Sequence, residues 1–329
     1  MAAHDVMPDI ELFQPVTVED ASTLAERLGS RGWILAGGQD TYGWLKDRAK
    51  SPRAMVDLAA IEGISGIEAV DGGLRIGAMT SLTTITRDER IRADFSLLAS
   101  AAGKVASPQI RNQGTLGGNL VQDTRCWYYR RGLSCYRAGG NICYADSPEG
   151  MNREHAIFGA SRCVAVSPSD TGTALVALDA TMIVQNGDAE RRIPAREFFV
   201  GPAVNITHMT VLRPGDILTA VELPERWAGA DFYFEKVADR NVWDFALVSI
   251  AGAFRSEAGT IRDARLVCGA VECVPRRLEA VEAAIIGKPR NEETGTAVAA
   301  LASRGAAPLN FNHFKIPLME NLVKRALRA

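Results

Sequence analysis

Apolar side chains at Ala21, Leu24, Ala25 and Leu28 recur at helical spacing. Thr17-Val-Glu-Asp20 supplies a capped start for that helix and Gly29 its stop. Trp33-Ile-Leu-Ala36 predicts a short buried strand, followed by a glycine-rich turn and a helix through Trp44-Leu-Lys-Asp47. Ala54-Met-Val-Asp57 predicts a second strand, so the opening unit is small and α/β. Residues 67–77 alternate on either side of Asp71-Gly72-Gly73, the pattern of a β-hairpin. Helices are expected around Ser81–Arg87 and Ser96–Val105, before the glycine-rich run Arg111–Leu120.

Residues 123–163 follow neither period. The segment holds four cysteines, six arginines and the aromatic run Trp127-Tyr128-Tyr129. An irregular stretch of this length inside a compact chain is usually functional or disordered, and its aromatic and cysteine content argues for function. Regular structure is expected to resume at Cys163–Val166, with a helix over Ala174–Leu178 and a strand over Ala180–Val184. Glu222–Gly229 reads as a domain junction. Strands over Phe232–Val237 and Ile261–Gly269 follow, then helices over Arg276–Ile286 and Asn310–Arg328. There is no internal repeat.

With 47% hydrophobic and 23% charged residues, the 329-residue chain has an ordinary globular composition for about two domains. A net charge of -2 gives no basic surplus to neutralise a phosphate backbone, so no nucleic-acid partner is expected. Apolar runs such as Phe245–Phe254 are too short to span a membrane, and none is expected to insert. The N-terminus shows no basic segment followed by an apolar one, so no export signal is expected on this chain.

Cys126, Cys135, Cys143 and Cys163 are spaced C-x8-C-x7-C-x19-C, without the close pairs of a zinc ribbon. Four thiols from one irregular segment suit an iron–sulfur cluster, leave room for zinc, and are also compatible with no metal. Cys268 reads as a buried apolar side chain in a strand, and Cys273 as no more. Of the scattered histidines His4, His155, His208 and His313, His155 has ionic neighbours and reads as a surface or loop residue rather than a base.

Four further segments carry candidate chemistry. Ala36-Gly37-Gly38-Gln39-Asp40-Thr41 joins a strand to a helix, where glycines let backbone amides approach an anion. Gly114-Thr115-Leu116-Gly117-Gly118-Asn119 offers a second such edge, and a dinucleotide pyrophosphate fits between the two. Either loop alone is equally a structural turn. Ser169-Asp170 reads as a helix cap or as a carboxylate touching a cofactor. Lys236 reads as a solvated charge or as a cation beside an electron-accepting ring.

In order and spacing, these loops resemble the FAD-binding medium subunits of the molybdenum hydroxylases. The resemblance covers nearly the whole chain, through Gln109–Leu120 and Phe234–Arg240 to Phe314-Lys-Ile-Pro-Leu318. The cysteine segment, with Thr124–Tyr129 and Asn152–Gly159, is similar to the subgroup that carries an extra [4Fe-4S] cluster. That subgroup comprises the FAD subunits of periplasmic-type aldehyde oxidoreductases and the beta subunit of 4-hydroxybenzoyl-CoA reductase.

The resemblance implies an α+β chain: a two-part FAD-binding region of the vanillyl-alcohol-oxidase type, followed by an α+β C-terminal domain. The boundaries it suggests are 1–60, 61–225 with the iron–sulfur loop 123–163, and 226–329. It implies that Leu35, Ala36, Gly37, Gly38, Gln39, Asp40 and Thr41, with Gly114, Thr115, Gly117, Gly118, Asn119 and Val121, hold the FAD pyrophosphate and its neighbours. Ser169 and Asp170 would meet the flavin side, Leu218 would pack on the isoalloxazine, and Lys236 would lie near its polar edge. Cys126, Cys135, Cys143 and Cys163 would hold the cluster.

The implied work is electron transfer. A large partner subunit would hold the molybdenum cofactor and a small one two [2Fe-2S] clusters, with electrons leaving through FAD to an external acceptor. Aldehyde or aromatic oxidation is favoured over the inward electron flow of a 4-hydroxybenzoyl-CoA reductase. A stand-alone flavin protein with a structural metal is the other class. The place of action would be the cytoplasm, or the periplasm by co-export with a partner.

Overall fold

A computed structural model describes Met7 and residues 9–328. His4 and the N-terminal stretch read for an export signal lie outside the described residues. Three parallel strands open the chain: β1 (Glu11–Phe13), β2 (Gly32–Leu35) and β3 (Ala54–Asp57), in the order β1-β3-β2. The helix Val18–Leu28 crosses between the first two. Thr17 accepts a hydrogen bond from the Asp20 amide at 3.1 Å, and Gly29 ends the helix at φ 53°.

A second, antiparallel sheet has the order β4-β5-β8-β6-β7, from β4 (Ile67–Val70), β5 (Gly73–Gly77), β6 (Thr181–Asn186), β7 (Ala189–Pro194) and β8 (Ile217–Pro224). The β4–β5 hairpin turns at Asp71-Gly72, as its alternation predicts. The main core packs this sheet against the helices Leu82–Arg87, Ser96–Gly103 and Asp170–Ala177. All eight residues of the last helix are buried.

The third sheet is antiparallel, in the order β12-β11-β10-β9: β9 (Asp231–Val237), β10 (Val248–Glu257), β11 (Thr260–Gly269) and β12 (Arg276–Arg277). The helix Lys315–Arg328 covers it, burying Met319, Leu322, Val323, Ala326 and Leu327 along one stripe. Fully burying each of the larger side chains contributes about 1.5–3 kcal/mol.

Three expectations about elements are corrected. Cys163–Val166 is irregular, and regular structure resumes only at Asp170. Arg276–Arg277 pair with β11 as a strand, and the helix there covers only Glu279–Ile285. Residues 310–314 are a turn and loop that end where the last helix begins. At residues 310–314 carbonyls of the neighbouring unit override the local pattern, since Asn312 bonds those of His155 and Ala156, whereas Arg276–Arg277 are drawn out by pairing with β11. The expected junction at 222–229 is more ordered than a linker, since Glu222–Pro224 complete β8 and Trp227 is fully buried in the main core. Among the described residues, no helix is long and apolar enough to cross a membrane.

Candidate functional site

The two glycine loops touch. A Cβ on Gly37 would lie 2.1 Å from the Gln113 carbonyl oxygen and 3.0 Å from the Gly114 Cα, so only glycine permits this approach. Their backbone amides differ in what they offer. In the second loop, Leu116 donates to the Thr80 carbonyl, Gly117 to that of Ala78, Gly118 to Thr115 Oγ1 and Asn119 to the Thr115 carbonyl. Gly117 thus serves close packing on Ala78 rather than an anion. Among the described residues, the amides of Gly37, Gly38, Gln39 and Asp40 donate to no protein group. They lie on a half-buried loop and are the donors left for a phosphate.

Each loop is tied to the next layer through one side chain. Asp40 accepts from Arg125, from Arg130 at 3.0 Å and from the Trp44 indole at 2.9 Å. Asn119 Oδ1 accepts from Ser169 at 2.8 Å and from Thr171 at 2.5 Å. Ser169 also caps the helix Asp170–Ala177, accepting from the Gly172 amide at 2.9 Å. Thr41 is turned inward to accept from the Trp33 indole at 3.1 Å.

Arg125, Arg130, Ser169 and Asp170 line one open cleft. Its walls are the start of the cysteine segment, residues 166–170 and the loop 239–247 with Ser249 of β10. Lys236 Nζ donates to Asp170 Oδ2 at 2.5 Å and to the Lys104 carbonyl at 3.0 Å. Burial pushes the Asp170 carboxyl up, and the Lys236 ammonium opposes it. Lys236, Ser249 and Gly269 stand in one row across β9, β10 and β11, which brings the third sheet to the cleft floor. Two buried side-chain atoms lack a hydrogen-bond partner among the described residues, His155 Nδ1 and Ser249 Oγ. Both residues line this cleft, though the two atoms themselves are buried behind its surface. The open amides beside the Gly37–Gln113 contact fit the pyrophosphate of an FAD.

Leu218 and Val121 are placed differently. Leu218 is buried on β8 in the main core, and Val121 is exposed at the end of its helix. Like the two glycine loops and Lys236, neither lines the cleft.

Cys126, Cys135, Cys143 and Cys163 line a single small cavity, together with Tyr129, Arg137 and His155. A cluster of Trp44, Tyr129 and Cys135, with Trp33 and Tyr144 beside it, fixes the segment to the N-terminal unit. Among the described residues, no group of three or more His, Cys, Asp and Glu converges to hold a metal ion. Burial pushes the Cys126 thiol up to about 11, so the free thiol is protonated at neutral pH. Arg137, almost fully buried, donates to Asp123 Oδ1 at 2.8 Å, and Asp123 accepts in turn from Tyr129 at 3.1 Å. Cys268 and Cys273 are buried as expected and line neither space.

His155 corrects the expectation of a surface residue. It is 3% exposed, its Nε2 lies 3.3 Å from Cys126 Sγ, and burial holds it down to about 4. Nothing in the spacing marks it, because its burial comes from Asn312 and Lys315 more than 150 residues away. Ser249 and the Asp123–Arg137 pair were equally silent in the pattern.

A parallel three-strand unit, an antiparallel sheet and a four-strand α+β domain, with two glycine loops in contact and a cleft beside Asp170, define a flavin-binding chain. The family described as the FAD binding domain in molybdopterin dehydrogenase matches residues 8–226, and the CO dehydrogenase flavoprotein C-terminal domain matches 233–329. The chain belongs to this family, the FAD-binding medium subunits of the molybdenum hydroxylases. It is 34% identical to the aldehyde oxidoreductase FAD-binding subunit PaoB of Escherichia coli K12, over 94% of this chain and 95% of that one. It is 26% identical to the carbon monoxide dehydrogenase medium chain of Hydrogenophaga pseudoflava, covering 98% of each. A solved structure of the carbon monoxide dehydrogenase from that organism superposes with a TM-score of 0.77 over 98% of this chain and 97% of that one. The chain is therefore an oxidoreductase subunit, with the substrate chemistry on a partner.

Proposed function

We propose that this chain is the FAD- and [4Fe-4S]-carrying electron-transfer subunit of a molybdenum hydroxylase that oxidises aldehydes or aromatic substrates. One observation carries the reading: four thiols surround one cavity, and Cys126 and His155 line both that cavity and the cleft bounded by Ser169 and Asp170. Zinc draws its ligands onto one point, whereas a four-iron cluster takes four thiolates spread around it. Four thiols on one cavity supply the number of thiolates such a cluster takes.

The amides of Gly37 to Asp40 would take the pyrophosphate, with Leu35, Ala36 and Thr41 framing them and Gly114 to Asn119 backing the loop. Ser169, Asp170 and Lys236 would face the flavin end. FAD, when bound, supplies the exchange of electrons between iron–sulfur centres and an external acceptor. This chain's residues bind, orient and shield it. The likeness to an aldehyde oxidoreductase subunit supports an aldehyde substrate, a large molybdenum subunit and a small [2Fe-2S] subunit as partners. The units 1–60, 61–225 and 226–329 and a cytoplasmic or co-exported periplasmic location belong to the same proposal.

The test is flavin, iron, acid-labile sulfide and molybdenum analysis of the co-purified complex. About one molybdenum, one FAD and eight irons per heterotrimer are expected, four of the irons on this chain. FAD without iron or molybdenum would make the stand-alone flavin protein the better account.

A further inference from the structure

His155 stands in the wall common to the cysteine cavity and the cleft. Its position is fixed from outside the segment. Asn312 donates to the His155 carbonyl at 3.0 Å, and Lys315 donates to the Glu154 carbonyl at 3.1 Å and the Ala270 carbonyl at 2.6 Å. On this held backbone, Nε2 meets Cys126 Sγ at 3.3 Å, while Nδ1, pointing away from that sulfur, has no partner among the described residues.

A thiolate bound to iron has no hydrogen to give and only accepts. At this contact the hydrogen therefore belongs to Nε2. An N–H aimed at a ligating sulfur withdraws charge from it and favours the reduced form of the cluster. We propose that His155 is a positioning residue that donates Nε2–H to the Cys126 sulfur and raises the cluster's affinity for an electron. This rests on the four-thiol cluster of the proposed function. The buried Arg137 on the same cavity adds positive charge in the same direction, but it is held by Asp123, whereas His155 touches the sulfur itself.

The test compares the intact complex with its His155→Leu and His155→Gln variants. Leucine removes the donor, and glutamine keeps an N–H on the side chain. Iron and sulfide are assayed first, and the cluster is then titrated electrochemically with its EPR signal as readout. The leucine variant is expected to keep its iron. Its oxidised-to-reduced ratio at a fixed potential should rise about tenfold, equivalent to a downward shift of about 59 mV for one electron. The glutamine variant should fall between it and the wild type. A leucine variant with the wild-type potential would overturn the proposal, and so would equal loss of iron from both variants, which would make His155 a prop of the loop. Absence of iron from the wild-type complex would overturn the cluster reading itself, and the first assay reads that separately.

Discussion

Lys236 reaches from the third sheet to Asp170 at the head of a fully buried helix, and the two side chains, each 6% exposed, form an ion pair at 2.5 Å. This contact joins the C-terminal domain to the FAD-binding region beside the cleft. Lys236→Met leaves a buried carboxylate without its cation, a change that costs about 3–5 kcal/mol. Thermal melts of the complex should show a drop of several degrees for Lys236→Met, and a double variant with Asp170→Leu should recover part of it. If the double variant lost as much as the two single losses added together, the pair would not be coupled.

Gly37→Ala should weaken flavin binding with less effect on the fold. The added Cβ would meet the Gln113 carbonyl at 2.1 Å, backbone against backbone, so the two glycine loops must part. Parting them moves the open amides of Gly37 to Asp40 away from the second loop. Bound flavin, read by absorbance after desalting, should fall about tenfold, which is about 1.4 kcal/mol of binding. Full flavin occupancy in the alanine variant would remove these amides from the site.

Local chemistry made much of this legible in the sequence. The cap at Thr17, the stop at Gly29 and the Asp71-Gly72 turn are decided by neighbouring residues, and each stands where the pattern puts it. The glycine loops were legible as a pair, though not the division of labour between them, because it depends on where Ala78 and Thr80 place their carbonyls. The cysteine spacing marked a site, but its cavity depends on packing of Tyr129 and Cys135 against Trp44 from another subdomain. His155 and Ser249 were illegible for a related reason. Their burial and their unpaired atoms are properties of the assembled domains, and no local signal encodes them.

Cys135→Ser should strip iron from this chain and weaken assembly, whereas Cys268→Ser should leave iron unchanged. Cys135 faces the four-thiol cavity, and Cys268 is buried in β11, paired with Ile250 and away from it. A hydroxyl in place of one of four thiolate ligands removes a soft ligand that iron–sulfur clusters require. Iron per FAD should fall by about four in the first variant. Full iron in Cys135→Ser would count against the ligand set.

Lys315 sets a pH dependence of stability that separates it from its neighbours. Its side chain is fully buried, and burial pushes it from 10.5 down to about 7 despite the nearby Glu154, with Arg153 adding to the effect. Between those two values the unfolded chain holds a proton that the folded chain has shed, so stability rises with pH across the window. Below it both states are protonated, and the cost of burying the charge is fully present. His155, held down to about 4, titrates below this range, and Cys126, pushed up to about 11, titrates at its upper edge and beyond. Lys315→Met removes the titration and the bonds to the Glu154 and Ala270 carbonyls. Losing those bonds should cost about 1–3 kcal/mol. The melting temperature of the wild type relative to Lys315→Met should therefore climb steadily from pH 7 to 9.5. A difference that stays flat across that range would mean that the ammonium remains charged against its two carbonyls.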